Sequence, residues 1–272
     1  MAAEATHALV EQGAGSAAAG DTTIGSIELP TRGQPWTLHN FFGQMYRQTA
    51  TAAEAVVGHM RINSASGDVT PQPNPSIFPL KGSGSFLGAT APVTTVPLHN
   101  YPLDLRAAGK ADLDLIGNNA IAATAAPKFI LGVAFGPGIP APRPAKFANR
   151  ARTTVTAAAR GQVGTITLSE GATRIVAILG RLTQDGVLVA GEELGGFFDL
   201  SSEDVDLVPL QLGFNEVYGA GLGTTIGGGE AAPPMPHLVD IPVPGGARID
   251  CFVTLNTAVT NGADVEIFIM YE

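Results

Sequence analysis

A single cysteine, Cys251, stands in the whole 272-residue chain, so no internal disulfide framework exists. It occupies an apolar strand position, which suits a buried small hydrophobe better than a nucleophile. Charged residues amount to only 14%, lysine is scarce and the net charge is −9. That balance argues against a protein built to grip nucleic acid, because neutralising phosphates takes clustered Lys and Arg. Aromatics are only 6%, with Trp36 the sole tryptophan. Trp36 opens a hydrophobic run, so it is expected in a core rather than as a carbohydrate-stacking platform. The longest apolar run, around Phe129–Gly136, is far too short to span a bilayer. The opening residues carry Glu4 and Glu11, with no basic region and no continuous apolar stretch. A chain made in the cytoplasm without a secretory signal is therefore expected. The triplet Asn74-Pro75-Ser76 is blocked as a glycosylation site by its proline.

What is present points to strands. Hydrophobic residues reach 45%, enough for a sizeable core, and 34 glycines with 20 prolines supply turns. Thr, Val and Ile are frequent in the structured runs, which biases the chain to all-β. The phrase ARIDCFVTLNTA (Ala247–Ala258) alternates apolar and polar positions as a half-buried strand does. A similar phrase, GKADLDLIGNNA (Gly109–Ala120), places Lys110, Asp112 and Asn118 opposite Arg248, Asp250 and Asn256. Further blocks match in the same order. Ile27 and Leu29 face Ile166 and Leu168; Phe78-Pro79-Leu80 faces Val208-Pro209-Leu210; Leu103 and Leu105 face Ile241 and Val243. Last, Phe129, Leu131, Val133 and Phe135 face Val265, Ile267, Ile269 and Tyr271. Five ordered blocks imply that one module occurs twice. Each half holds about seven or eight short strand candidates between Gly, Pro and Asn turns, which suits a β-sandwich.

The expected organisation is an N-terminal arm (1–20, its first dozen residues a short helix), a first sandwich (21–136), a basic Pro/Ala-rich linker (137–160) and a second sandwich (161–272). The linker carries Arg143, Lys146, Arg150, Arg152 and Arg160 and no acid. It reads as a solvated segment, or else as a contact to an anionic membrane surface or an acidic neighbouring subunit. Ser201-Ser202-Glu203-Asp204 could start one short helix.

Chemistry is harder to find. Metal sites of duplicated cupin enzymes need His-x-His with further ligands at strand spacing. Here His7, His39, His59, His99 and His237 are isolated, although His39 with His59, and His99 with His237, could meet across strands. There is no Gly-x-Ser-x-Gly elbow, and the Gly-rich runs 82–96 and 212–236 fit neither the dinucleotide fingerprint nor the phosphate loop. Glu192, Glu193, Glu203, Asp204 and Asp206 cluster in sequence without a calcium-loop pattern, so a solvated edge is the default. No catalytic, cofactor-binding or metal-ligating residue is assigned.

Two fused eight-stranded sandwiches with long Gly/Pro loops and a small N-terminal arm resemble the double jelly-roll major capsid proteins of tailless icosahedral viruses, which often enclose a membrane. The resemblance is architectural, covers about 21–272 and rests on the paired blocks. It implies an all-β double jelly roll with no active site, located in the virion. It also implies homotrimers whose six rolls form a pseudo-hexagonal tile, further capsomers and vertex (penton) proteins as partners, and an arm facing the interior or its membrane. Apolar loop residues such as Phe86, Leu87, Phe214, Val217 and Tyr218 lack a place in one sandwich and would serve subunit contacts. The alternatives are a duplicated cupin-type enzyme, a carbohydrate-binding sandwich, or a vertex or spike protein. The final strand, ADVEIFIMYE, is apolar on both faces apart from Glu266, so one face must enter the core and the other must be covered.

Overall fold

The computed structural model describes residues 7–30, 35–46, 56–64, 69–70, 76–83, 98–122, 125–137, 146–187, 192–207, 210–220, 226–227 and 235–272. All regular structure among them is β, and it divides into two units, one ending at Phe147 and the other starting at Ala148. The first unit contains β1 (His7–Ala14), β2 (Gly20–Glu28), β3 (Trp36–Tyr46), β4 (Val57–Asn63), β5 (Val69–Thr70), β6 (Phe78–Ser83), β7 (His99–Ala107), β8 (Asp112–Asn119) and β9 (Lys128–Pro137). The second contains β10 (Phe147–Val155), β11 (Gly161–Thr167), β12 (Arg174–Val187), β13 (Gly196–Ser201), β14 (Leu210–Gly213), β15 (Glu216–Ala220), β16 (Ile226–Gly227), β17 (His237–Pro242), β18 (Arg248–Leu255) and β19 (Ala263–Tyr271).

Strand order repeats between the units. The order β2-β8-β4-β6 in the first returns as β11-β18-β13-β14 in the second, and β1-β9-β3 with β7 returns as β10-β19-β12 with β17. Neighbours in space are distant in sequence, which is the jelly-roll arrangement. The likeness extends to irregularities. A bulge interrupts β2 before Gly25 and β11 before Gly164. A second interrupts β3 between Leu38 and Asn40 and β12 between Ile175 and Ala177. A glycine starts or nearly starts the equivalent strands β4 and β13 for one reason. A Cβ on Gly58 would collide with the Asn118 carbonyl, and one on Gly196 with the Thr254 carbonyl. The jelly roll is thus written into the backbone twice.

Ile27 and Ile166 occupy equivalent strands, facing Leu113 and Ile249. Several other sequence pairings slip. Leu113 is therefore the counterpart of Ile249, and Asp114, not Asp112, stands where Asp250 stands. The side chains agree: Ser26 Oγ donates to Asp114 at 2.5 Å, and Thr165 Oγ1 donates to Asp250 at 2.5 Å. Likewise Leu105 pairs with Leu38 as Ile241 pairs with Ile175, again a two-residue shift. Phe78, paired with Met60, corresponds to Leu212, paired with Phe198. The sequence match to Val208 and Pro209 falls outside the described residues. Because strand side chains alternate with period two, a slip of two or four keeps every inward residue inward.

Three expectations need correction. Residues 7–14 form neither an arm nor a helix but β1, which pairs along its full length with β9 from His7↔Phe135 to Ala14↔Lys128. His7 lies edge-on to Trp36 at 5.9 Å and against Phe135 at 5.6 Å, so the strand is tied into the first unit by packing as well as pairing. Ala-rich helix propensity is a weak prior that tertiary pairing overrides. Similarly, 147–155 of the expected linker is β10. Ser201 ends β13 and 202–204 bend away from it, where Asp204 N–H donates to Ser202 Oγ at 3.1 Å instead of starting a helix.

The cores are apolar as anticipated. Leu38, Phe41, Met60, Leu115 and Phe129 fill the first, and Ile178, Phe198, Cys251, Val265 and Ile267 fill the second. Trp36 is buried, with its Nε1 donating to Pro30 O at 2.7 Å. The turn before β8 differs from its counterpart in one respect. Lys110 holds φ 64°, while the equivalent position before β18 is Gly246 at φ 76°. Both turns close alike, by Ala111 N–H to Ala108 O and Ala247 N–H to Pro244 O. A non-glycine residue in the left-handed region costs about 1–2 kcal/mol, partly offset by the extra freedom glycine gives the unfolded chain. Lys110→Gly should therefore stabilise the protein by up to about 1 kcal/mol. Thermal unfolding checks it, and an unchanged or lower midpoint would contradict the assignment.

Candidate assembly surface

The five histidines serve their own units. His39 is the bulged residue of β3 and His59 lies on β4 of the opposite sheet, so the two do not meet on neighbouring strands. His99 lies in the first unit, where Lys81 N–H donates to its Nε2 at 3.0 Å. His237 lies in the second, donating from Nε2 to Gly213 O at 2.8 Å. The latter bond has a counterpart: Tyr101, at the equivalent place on β7, donates to Pro79 O at 2.8 Å. A different side chain fastens the same two strands in each unit. Among the described residues no three His, Cys, Asp or Glu side chains gather as a metal site.

Cys251 is wholly buried, and burial first, then Asp250 and Asp199, push its thiol far above the usual range. It is a core residue. Two of the carboxylates around 192–206 bind backbone at separate places. Glu192 accepts from Thr260 N–H at 2.7 Å, and Asp204 accepts from Arg248 N–H at 2.9 Å. Phe86 and Leu87, and most of the Gly-rich runs 82–96 and 212–236, lie outside the described residues. Phe214 is not spare: its ring packs at 5.5 Å against the core residue Phe198. Val217 and Tyr218 belong to β15, paired with Leu182 and Thr183 of β12.

The described part of the basic segment is also spoken for, because acids of the same unit meet its cations, and Arg143 lies outside the described residues. Lys146 reaches Asp104 at 3.4 Å, Arg150 reaches Glu266 at 2.7 Å and Arg152 reaches Asp264 at 3.0 Å. Arg160 binds Asp199 at 2.6 Å and sits over the Phe252 ring at 3.5 Å. The solvated-linker reading is corrected accordingly, and these four cations are not left over for a membrane or an acidic neighbour.

Two polar constellations escape sequence reading. On the outer face of the β2-β8-β4 sheet, Asp21 accepts from Arg61 at 2.6 Å and from Asn118 Nδ2 at 2.7 Å, and lies 3.3 Å from Nε2 of the buried His59. Hydrogen bonding to His59 first, then to Asn118, with Arg61 nearby, holds the Asp21 carboxyl well below the ordinary carboxylate range against the opposing effect of burial. A depressed native pKa means the unfolded chain binds the proton more tightly. The stabilisation is thus complete above the ordinary value near 4 and is lost as pH falls below it. Asp21→Asn should flatten the acid limb of the stability profile below pH ~5, measured by urea titration at each pH. Equal acid limbs in variant and parent would refute the linkage.

The second constellation is a ladder of alternating charge across four strands of the second unit. Arg150 on β10 binds Glu266 on β19; Glu266 lies 3.4 Å from Arg181 on β12; Arg181 Nε donates to Glu216 on β15 at 2.9 Å. Arg181 is fully buried and stands 5.4 Å from the Phe268 ring. Desolvation lowers the pKa of Arg150, while Glu266 works against that shift. The ladder is neutral overall and runs along the face of β19 that sequence reading left unexplained. That face is buried: Phe268 and Glu266 are both shielded from solvent, as the apolar pattern required.

The same face of the first unit is different. The counterparts of Arg181 and Glu266 are Gln44 and Ile130, and the counterpart of Leu179 is Phe42. These first-unit residues are half-buried, and Val10 of β1 is 49% exposed, whereas Leu179, Arg181 and Phe268 are buried. A smaller apolar patch lies at β17, where Leu238 and nearby Met235 are more than four-fifths exposed.

No family model and no curated protein matches the chain. Solved structures do. The major capsid protein of Sulfolobus turreted icosahedral virus is 9% identical, with 98% of this chain and 95% of that one covered at a TM-score of 0.48. PNGF-II is 9% identical over 90% of this chain and 59% of that one, with a TM-score of 0.43. A triple jelly-roll turret protein of an archaeal virus is 9% identical, covering 99% of this chain and 59% of that one at a TM-score of 0.25.

Proposed function

We propose that this chain is a structural subunit of an icosahedral virus shell: a double jelly-roll capsid protein that assembles with copies of itself and carries out no chemistry. One observation carries the reading. A complete jelly roll occurs twice, alike in strand order and in the position of both bulges. Two such rolls in one polypeptide let three copies present six similar blocks, which can tile a closed surface pseudo-hexagonally. The polar clusters support it from the other side. Asp21 with His59, the Arg181 ladder, Glu192 and Asp204 are each occupied in holding strands or turns. Further capsomers, and vertex proteins at the five-fold positions, are the partners this role entails.

Purified protein examined by mass photometry and negative-stain electron microscopy tests it. Trimers, and hexagonal tiles or closed shells at higher concentration, are the expected result. A chain that stays monomeric across the accessible concentration range would refute the reading.

A further inference from the structure

The likeness between the two units creates a problem of strand sorting. β2 ends its sheet beside β8, and β11 ends its sheet beside β18, so among the described residues each edge strand pairs with one neighbour. The features that fix their seats are the same in both. Each has its bulge before the equivalent glycine, Gly25 or Gly164, and each turns an isoleucine inward, Ile27 or Ile166. Each also donates a hydroxyl, from Ser26 or Thr165, to an aspartate, Asp114 or Asp250. None of these distinguishes one seat from the other. Exchange of like elements is a characteristic failure of chains that contain one module twice.

The outward charges do differ, and they differ in sign. Asp21 on β2 accepts from Arg61 Nη2 on β4 at 2.6 Å, diagonally across β8. In the second unit, Arg160, which precedes β11, donates from Nη2 to Asp199 on β13 at 2.6 Å, diagonally across β18. Register makes the positions equivalent. Asp21 lies opposite Asn118, and Arg61 lies opposite Ile116, two residues back along β8. Asp199 lies opposite Phe252, while Arg160 precedes Gly161, the partner of Val253. The acid therefore belongs to the edge strand in the first unit and to the far strand in the second. A pair serving stability alone works equally well in either order, so stability does not require the reversal.

We infer that the reversed charge order sorts the strands, keeping β2 on β8 and β11 on β18 while the two rolls form. β2 seated on β18 would set Asp21 against Asp199, and β11 seated on β8 would set Arg160 against Arg61. Misplaced, Asp21 would also exchange His59 and Asn118 for Phe197 and Thr254, its neighbours there by register. An exchange thus replaces two attractions with two repulsions and gains only contacts that the correct seats already supply. An exposed ion pair stabilises little by itself. Like charges at matched positions nevertheless select against the wrong partner, because specificity is a difference between two seats and not the strength of either.

The full chain carrying Glu28→Cys and Arg248→Cys reports the exchange. In the sorted fold Glu28 lies opposite Asp112 and Arg248 opposite Thr167, so β2 seated on β18 brings the two cysteines opposite each other. Each protein is unfolded in urea, refolded and then oxidised. The cross-linked fraction is read by non-reducing electrophoresis with peptide mapping, and protein oxidised without prior unfolding gives the background. Adding Arg160→Asp with Asp199→Arg gives both units the charge order of the first, and the fraction above background should rise about tenfold over the parent. Adding Asp21→Arg and Arg61→Asp as well makes the orders opposite again. The fraction should then fall back towards that of the parent, although more residues have been changed. Should the first pair of substitutions prevent folding, Asp21→Arg with Arg61→Asp, which gives both units the order of the second, is measured in its place. A double variant that cross-links like the parent would overturn the inference, and so would a fourfold variant no better sorted than the doubles.

Discussion

Arg181→Met is expected to destabilise the second unit by about 3–5 kcal/mol. The substituted side chain is apolar and of similar length, so the loss does not come from a cavity. It comes mainly from the buried Glu216, which would lose its pairing with Arg181, whereas Glu266 keeps Arg150 on its other side. A buried carboxylate without its cation must take up a proton or admit water, and either costs several kcal/mol. The informative comparison is the double variant Arg181→Met, Glu216→Met, which removes that pair whole and leaves Glu266 on Arg150. Removing the charges together should recover most of the loss, because buried ion pairs contribute little over well-packed apolar groups. Chemical denaturation of the three proteins decides it. A mild single variant, or a double variant no better than the single, would mean that the ladder is not the electrostatic unit described above.

Removing Val265–Glu272 should abolish folding of the second unit altogether. β19 is not a peripheral strand: it lies between β10 and β12, and it pairs with β12 from Ile175↔Tyr271 to Thr183↔Asp264. Val265, Ile267, Phe268 and Ile269 are fully buried. At about 1.5–3 kcal/mol for each such side chain, their loss alone rivals the net stability of about 5–15 kcal/mol typical of a domain. Truncated protein should be insoluble or show no cooperative transition for residues 148–264 in hydrogen exchange. A soluble product protected there like the parent would contradict the central role assigned to β19.

How far the sequence could be read divides along a physical line. Strand existence, inward faces and the repeat were legible, because alternation at Ile249, Cys251, Val253 and Leu255 is a local property of the chain. Register was not, because alternation looks the same after a slip of two. What fixes register is the bulge before Gly25 or Gly164 and the turn at Lys110 or Gly246, features that depend on backbone geometry rather than on polarity. β1 was missed because HALVEQGA looks helical by composition, and only its pairing with β9 makes it a strand. The ladder was invisible for another reason. Arg150, Arg181, Glu216 and Glu266 are scattered in sequence, and a charge at an outward strand position ordinarily means water. The one available hint was Glu266 itself, a lone acid on a strand otherwise apolar on both faces.

The segment joining the two sheets of each unit has a mechanical consequence. β6 pairs with β4 through Phe78–Lys81 and then with β3 through Gly82 and Ser83, so one strand belongs to both sheets. In the second unit β14 and β15 divide that task, and Asn215 between them is anchored in both directions to Gly180: its N–H donates to Gly180 O at 2.9 Å and its Oδ1 accepts from Gly180 N–H at 2.8 Å. Each sandwich is therefore bound like a book, with a covalent spine along one margin. Prising the sheets apart there would mean breaking backbone pairing, whereas at the fore-edge β1 lies over β2 with Glu11 against Gly25, and only side-chain contact and the short connection 15–19 hold the two together. Under tension each leaf should swing from the spine, and the first page to lift in the N-terminal roll is β1.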